Sequence, residues 1–138
     1  MLASSQEGDV WDKEDRELER ARQAEFDLVG GFRGMIRNEL LVRLRPLTGR
    51  QWVGTSVGTL WSILAQLSQY LGNNQGRLES GYGYVKEVKI SKRDFGVEFE
   101  ATFWPRFSGK EERVLAEVRI FSDTLLVHVM GMPEVALY

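Results

Sequence analysis

The period of the hydrophobic pattern changes once along this chain, near Gly76, and that switch restricts the fold more than any other feature. Upstream, Leu60, Ile63, Leu64, Leu67 and Leu71 recur at i, i+3, i+4 and i+7, the spacing of one helix face, which predicts a helix over Thr59–Leu71 with Gly72 as its stop signal. Downstream the period is two: Val88 and Ile90; Phe95, Val97, Phe99, Ala101 and Phe103; Val114, Ala116, Val118 and Ile120; Leu125, Val127 and Val129 alternate with polar neighbours. Turn residues at Ser91–Asp94, Ser108–Glu111 and Ser122–Asp123 separate these runs, so they read as a four-stranded antiparallel meander with one apolar face. That face must be covered, and the apolar stripes of the preceding helices are the available cover. The predicted fold is therefore α+β, with N-terminal helices packed on one face of a C-terminal four-stranded sheet in two layers. Pro105 has no backbone donor, so a bulge or an edge position is expected where it falls in the second strand.

The N-terminal half adds helices to that layer. Residues 1–10 are polar and are expected to be loose, leaving 11–138 as a single α+β domain, a length at which roughly two thirds of the unfolded surface can be buried. From Asp12 to about Val29 strong helix formers dominate, with Leu18, Ala21, Leu28 and Phe32 at roughly helical spacing and Glu14, Asp15 and Glu17 placed to complement the helix dipole. Gly30, Gly31 and Gly34 then interrupt a pattern that resumes through Met35, Ile36, Leu40 and Leu44, which predicts either two helices with a glycine joint or one kinked helix. Pro46 with Thr48-Gly49 ends it.

Composition removes several function classes. The chain has no cysteine, so disulfides, thiolate catalysis and sulfur-ligated zinc are excluded. Its one histidine, His128, and the absence of any calcium-loop or Glu-x-x-His spacing imply no metal and no cofactor. Residues 51–76 carry no Asp, Glu, Lys, Arg or His, but Gln51, Thr55, Ser56, Thr59, Ser62, Gln66, Ser68 and Gln69 make that window too polar for a membrane span. The N-terminus lacks a basic start and a long apolar run, and with the missing cysteines this points to a cytoplasmic location. Net charge is −2, which offers no global attraction to polyanions. Its distribution is uneven: residues 1–32 hold nine acids and four bases, and residues 33–50 hold five arginines and one glutamate.

One short catalytic signature is present. Gly54-Thr55-Ser56-Val57-Gly58 matches the G-x-S-x-G pattern of esterase nucleophiles, and Asp94 or Asp123 followed by His128 supplies partners in the hydrolase order. The architecture opposes that reading, because the nucleophile elbow belongs to a parallel sheet of βα units and this sheet is predicted antiparallel. A glycine-lined turn in which Ser56 or Thr59 caps the next helix explains the same residues. His128 falls on the even-numbered face of the last strand with Glu98, Glu100, Glu117 and Arg119. One imidazole among carboxylates suits a general base, and cross-strand charge pairing on a solvated face suits the same pattern. A strongly curved sheet would instead open a cavity lined by Phe95, Phe99, Phe103, Trp61 and Tyr70.

The arginine block supplies Arg43, Arg45 and Arg50 as candidate anion-binding residues, beside Arg33 and Arg37. Next to a strongly acidic segment, these guanidinium groups are more simply explained by salt bridges to Asp15, Glu19 and Glu25, within the chain or between copies of it, than by nucleic acid. No residue motif is specific enough to tie the chain to a known family. The preferred expectation is a non-enzymatic binding or assembly module, a homo-oligomer that recruits a protein partner. Its basis is the scarcity of catalytic side chains beside surplus aromatics: Trp11, Trp52, Trp104 and the Val135–Tyr138 segment are hard to place in one small core, which makes Trp52, Trp104, Leu137 and Tyr138 candidate interface residues. A small-molecule pocket protein or hydrolase using Ser56 and His128 is the first alternative, and arginine-mediated binding of nucleic acid or phosphate the second.

Overall fold

The computed structural model describes residues 2–47, 55–73, 83–106 and 109–138. Three helices, α1 (Leu2–Leu28), α2 (Gly31–Leu44) and α3 (Thr55–Asn73), precede five strands: β1 (Gly83–Arg93), β2 (Gly96–Pro105), β3 (Glu112–Phe121), β4 (Thr124–Val129) and β5 (Val135–Leu137). The strands form one antiparallel meander in the order β1-β2-β3-β4-β5, and the helices cover one of its faces, giving the expected two-layer α+β architecture.

Period-two patterning decides which face is covered. Val97, Phe99, Ala101 and Phe103 on β2, Val114, Ala116, Val118 and Ile120 on β3, and Leu125, Val127 and Val129 on β4 all point inward and are buried. Against them α2 lays Phe32, Ile36, Leu40 and Leu44, four apolar side chains at i+4 spacing, over β3 and β4. Helix α3 lays Leu60, Leu64, Leu67 and Leu71 over β1 and β2. Phe32 and Phe103 stack with ring centroids 4.4 Å apart and planes 8° from parallel, a direct link between the helical layer and the sheet. The space between the layers is thus occupied by packed side chains.

The glycine joint resolves into two helices. Gly30 takes φ 94° and Gly31 φ 64°, left-handed values that stop α1 at Leu28 and redirect the chain. Gly34 then passes so close to the end of α1 that a Cβ there would fall 1.5 Å from the Val29 carbonyl oxygen.

Several boundaries differ from the sequence expectation. A fifth strand, β5, pairs with β4 and buries Leu137 at 8% exposure, so Leu137 is a core residue rather than an interface one. Helix α1 begins at Leu2, ten residues before the expected Asp12, and α3 begins at Thr55, which puts Ser56 and Thr59 inside the helix rather than at its cap. Strand β1 extends to Arg93, and the hairpin turns on Asp94 and Phe95, because Arg93 already pairs with Gly96. Phe95 is therefore a turn residue, 73% exposed, and does not line the interior. Pro105 ends β2 opposite Gly83, beyond the last β2–β3 pair at Phe103–Glu112, so its missing donor falls at the very end of the β1–β2 ladder. The one register shift nearby lies on β1, between Val85 and Glu87.

Candidate functional site

The chemistry-bearing residues of the sequence fall on two different layers. Ser56 stands in the first turn of α3, on the helical layer, whereas His128 projects from β4 away from the buried Val127 and Val129. The sheet separates the two layers, and a Ser56–His128 pair is not assembled. Residues 51–54 of the motif region lie outside the described residues, as do Trp52 and Arg50. No group of three or more His, Asp or Glu side chains suited to a metal ion occurs among the described residues, and no helix there is long and apolar enough to cross a membrane.

The outer sheet face that carries His128 is a lattice of charges. Glu117 sits directly between Glu98 on β2 and His128 on β4, a row in which two carboxylates oppose each other. Flanking guanidinium groups offset that repulsion. Arg93 Nη2 donates to Glu98 Oε2 at 2.7 Å, Arg119 Nε lies 3.6 Å from Glu117 Oε1, and Arg119 Nη2 lies 3.3 Å from Glu134 Oε2. Arg113 Nε reaches Glu100 Oε1 at 3.0 Å, and Lys86 pairs with Glu111. The hydrogen bond from Arg93, together with its charge, holds the Glu98 carboxyl below its ordinary value and raises that of Arg93. Each carboxylate of the His128 row thus has its own cation.

Apolar side chains interrupt that charged face at its two ends. Tyr84 and Trp104 face each other across β1 and β2 and are 49% and 45% exposed. At the opposite end, Phe121 closes β3 opposite Thr124 and Tyr138 follows the last residue of β5, with Phe95 in the adjoining hairpin, whose carbonyl accepts the Ile120 N–H. These three aromatics are the most exposed on the sheet. The strand edges are poor docking sites by comparison: β1 carries Lys86, Lys89, Lys92 and Arg93, a cationic edge that opposes strand addition, and β5 is only three residues long.

The arginine block divides between two places. Arg43, in the last turn of α2, lies 3.4 Å from Glu39 and places its guanidinium 5.3 Å from the centroid of the Tyr70 ring on α3. Arg45, two residues on and around the helix axis, instead lines a groove of about 990 Å³ at the α1–α2 joint. Its apolar lining comes from Phe26, Leu28 and Val29 of α1 and the following joint, Met35 and Leu41 of α2, and Met132 from the β4–β5 connection. Arg22, Arg37, Arg45 and Glu25 also border it, so its titratable rim is net positive. Arg22 and Arg37 have no hydrogen-bond or ion-pair partner among the described residues. Of the acids expected to pair with the arginine block, Glu19 pairs with Arg106 at 3.2 Å instead.

Of the candidate interface residues, Trp104 is 45% and Tyr138 78% exposed. Sequence reading missed Phe121, Leu28 and Arg22. Phe121 was hidden because a strand's last residue before a turn reads as part of the turn, and Arg22 because the groove it lines is completed by Arg37 and Met132, which are distant in sequence. Compared with family models, curated proteins and solved structures, the chain matches none of them.

Proposed function

We propose that this protein is a non-enzymatic binding and assembly module that self-associates through its helical layer and recruits a protein partner through the outer face of its sheet. The observation that carries the reading is the placement of large apolar side chains outside a core that is already full. Leu28 is 87% exposed, Tyr138 78%, Phe95 73% and Phe121 71%, while 21 other apolar side chains among the described residues are buried in the interior. Scattered exposed apolar residues are ordinary, but these fall into an aromatic group at one end of the sheet and a groove at the α1–α2 joint. Both resemble the apolar centre of an interface surrounded by charge.

Sedimentation velocity over a concentration series tests the self-association. The weight-average mass is expected to rise to at least twice 15.8 kDa in the micromolar range. A mass fixed at that of one chain across the series would overturn it. The partner face is tested separately by Phe121→Ser with Tyr138→Ser, which is expected to abolish recruitment of the protein partner and to leave the self-association mass unchanged. Recruitment that persists in this variant would overturn the assignment of that face.

A further inference from the structure

Helix α1 is the element least accounted for by its own protomer. Between Lys13 and Glu25 its side chains are exposed or at most half-buried, including Leu18 at 51%. Its described anchors are near its C-terminal end: Phe26 meets Phe32 edge-on at 4.9 Å, and Glu19 pairs with Arg106. A helix takes most of its stability from the face it packs, and a helix polar on nearly all sides has little such face to offer its own core. The sequence of its N-terminal part is strongly one-signed, with seven acids and two bases over residues 7–19. The groove at the α1–α2 joint has the opposite character, lined by apolar side chains together with Arg22, Arg37 and Arg45 against Glu25 alone.

We infer that this groove receives the acidic stretch of α1, residues 7–19, from a second copy of the chain. The inference rests on the self-association proposed above and specifies its surface. Charge complementarity selects the occupant: the rim is net +2, residues 7–19 are net −5, and Arg22 and Arg37 lack partners among the described residues. Because each protomer carries both the acidic stretch and the groove, the exchange is reciprocal about a two-fold axis and closes as a dimer. Leu28 and Val29 supply apolar area at the groove, and Leu18, 51% exposed, is an apolar side chain beside the incoming acids. The cationic β1 edge is left outside the contact, consistent with its role in opposing strand pairing.

Reciprocity gives a test that a nonspecific contact does not pass. Variant A is Arg22→Glu with Arg37→Glu, which makes the groove acidic; variant B is Glu14→Arg with Asp15→Arg and Glu17→Arg, which takes residues 7–19 from net −5 to net +1. Each alone sets like charges together at both contacts, and its dimer dissociation constant is expected to rise about hundredfold or more. An equimolar mixture of A and B is expected to form a 1:1 heterodimer, because the acidic groove of A then meets the basic helix of B and the unchanged groove of B meets the unchanged helix of A. Far-UV circular dichroism establishes that A and B remain folded, and Leu28→Asp serves as a second disruption of the groove that leaves its arginines in place. A and B that stay monomeric when mixed, or that each dimerise as tightly as the wild type, would overturn the inference. A wild-type protein that dimerises while A, B and Leu28→Asp do so equally well would leave the proposed function standing and remove this surface. A wild-type monomer at all concentrations would remove both.

Discussion

Phe32 is the residue through which the helical layer is most tightly joined to the sheet, and its truncation has a calculable cost. The ring is 1% exposed, stacks on Phe103 at 4.4 Å and receives the edge of Phe26 at 4.9 Å. Phe→Ala in a core costs about 3–5 kcal/mol, the larger values belonging to sites that cannot collapse. Collapse is hindered here by backbone: the start of β1 passes so near that a Cβ on Gly83 would stand 2.9 Å from Phe32 Cζ and 2.7 Å from the Trp104 carbonyl oxygen. The loss also includes two aromatic pairs worth roughly 0.5–1.5 kcal/mol each, part of which the truncation figure already contains. Phe32→Ala is therefore expected to cost about 4–5 kcal/mol. With a urea slope of about 2 kcal/mol/M, the unfolding midpoint falls by roughly 2 M, read by tryptophan fluorescence and far-UV circular dichroism together. Phe32→Leu keeps most of the volume and is expected to recover more than half of that loss. A midpoint shift under about 0.5 M for Phe32→Ala with an unchanged slope would show that α2 does not dock on the sheet through this ring.

Other expectations follow from single positions. Ser122, the first central residue of the β3–β4 hairpin, has φ 59°, and a positive φ there favours glycine, so Ser122→Gly is expected to raise stability by roughly 0.5–1 kcal/mol in thermal unfolding; a destabilised variant would refute the strain. The Glu98 carboxyl is expected, in an NMR titration, to ionise below the ordinary glutamate range and to move up in Arg93→Met. Because its folded value is depressed, the associated stability is present above the unfolded value and is lost as pH falls through the folded one; added salt weakens the effect, and a Glu98 titration unmoved by Arg93→Met would contradict the pairing. Ser56 stands within α3 and apart from His128, so Ser56→Ala is expected to change stability by at most about 0.5 kcal/mol, with p-nitrophenyl ester hydrolysis at background in both proteins; turnover in the wild type that disappears in the variant would overturn this.

The sheet and the helices that cover it were legible because burial imposes a period, and the period survives in the sequence wherever one face is buried along a whole element. Val97 to Phe103 and Leu60 to Leu71 are such runs. Legibility failed where that coupling breaks. Val135–Leu137 makes a strand of three residues, too short to show an alternation, although it buries Leu137 and completes the sheet. Phe95 continues the odd-numbered apolar series of β2 but falls in the turn, since Arg93 and Gly96 have already closed the hairpin. The glycine joint was visible as three glycines, yet the choice between a kink and two helices depended on the positive φ values at Gly30 and Gly31. The groove was invisible for a topological reason: Arg22, Arg37 and Met132 come from three separated segments, and only the folded chain brings them to one rim. The acidic N-terminal segment and the arginine block were read as partners from charge alone; the fold instead pairs Arg43 with Glu39 and Glu19 with Arg106, leaving Arg22 and Arg37 as the groove's unpaired cations among the described residues.

If a second copy covers the exposed length of α1, backbone hydrogen exchange as a function of protein concentration measures that cover directly. In a monomer the amides from Lys13 to Arg20 belong to a solvent-exposed helix and exchange through local opening, with far less protection than the core amides of β2 and β3. Covering by a partner adds protection that scales with dimer population, so protection over Lys13–Arg20 is expected to rise with concentration and to fall on dilution, while that of β2 and β3 stays constant. Protection over Lys13–Arg20 that is independent of concentration, from below to well above the micromolar range, would contradict the account.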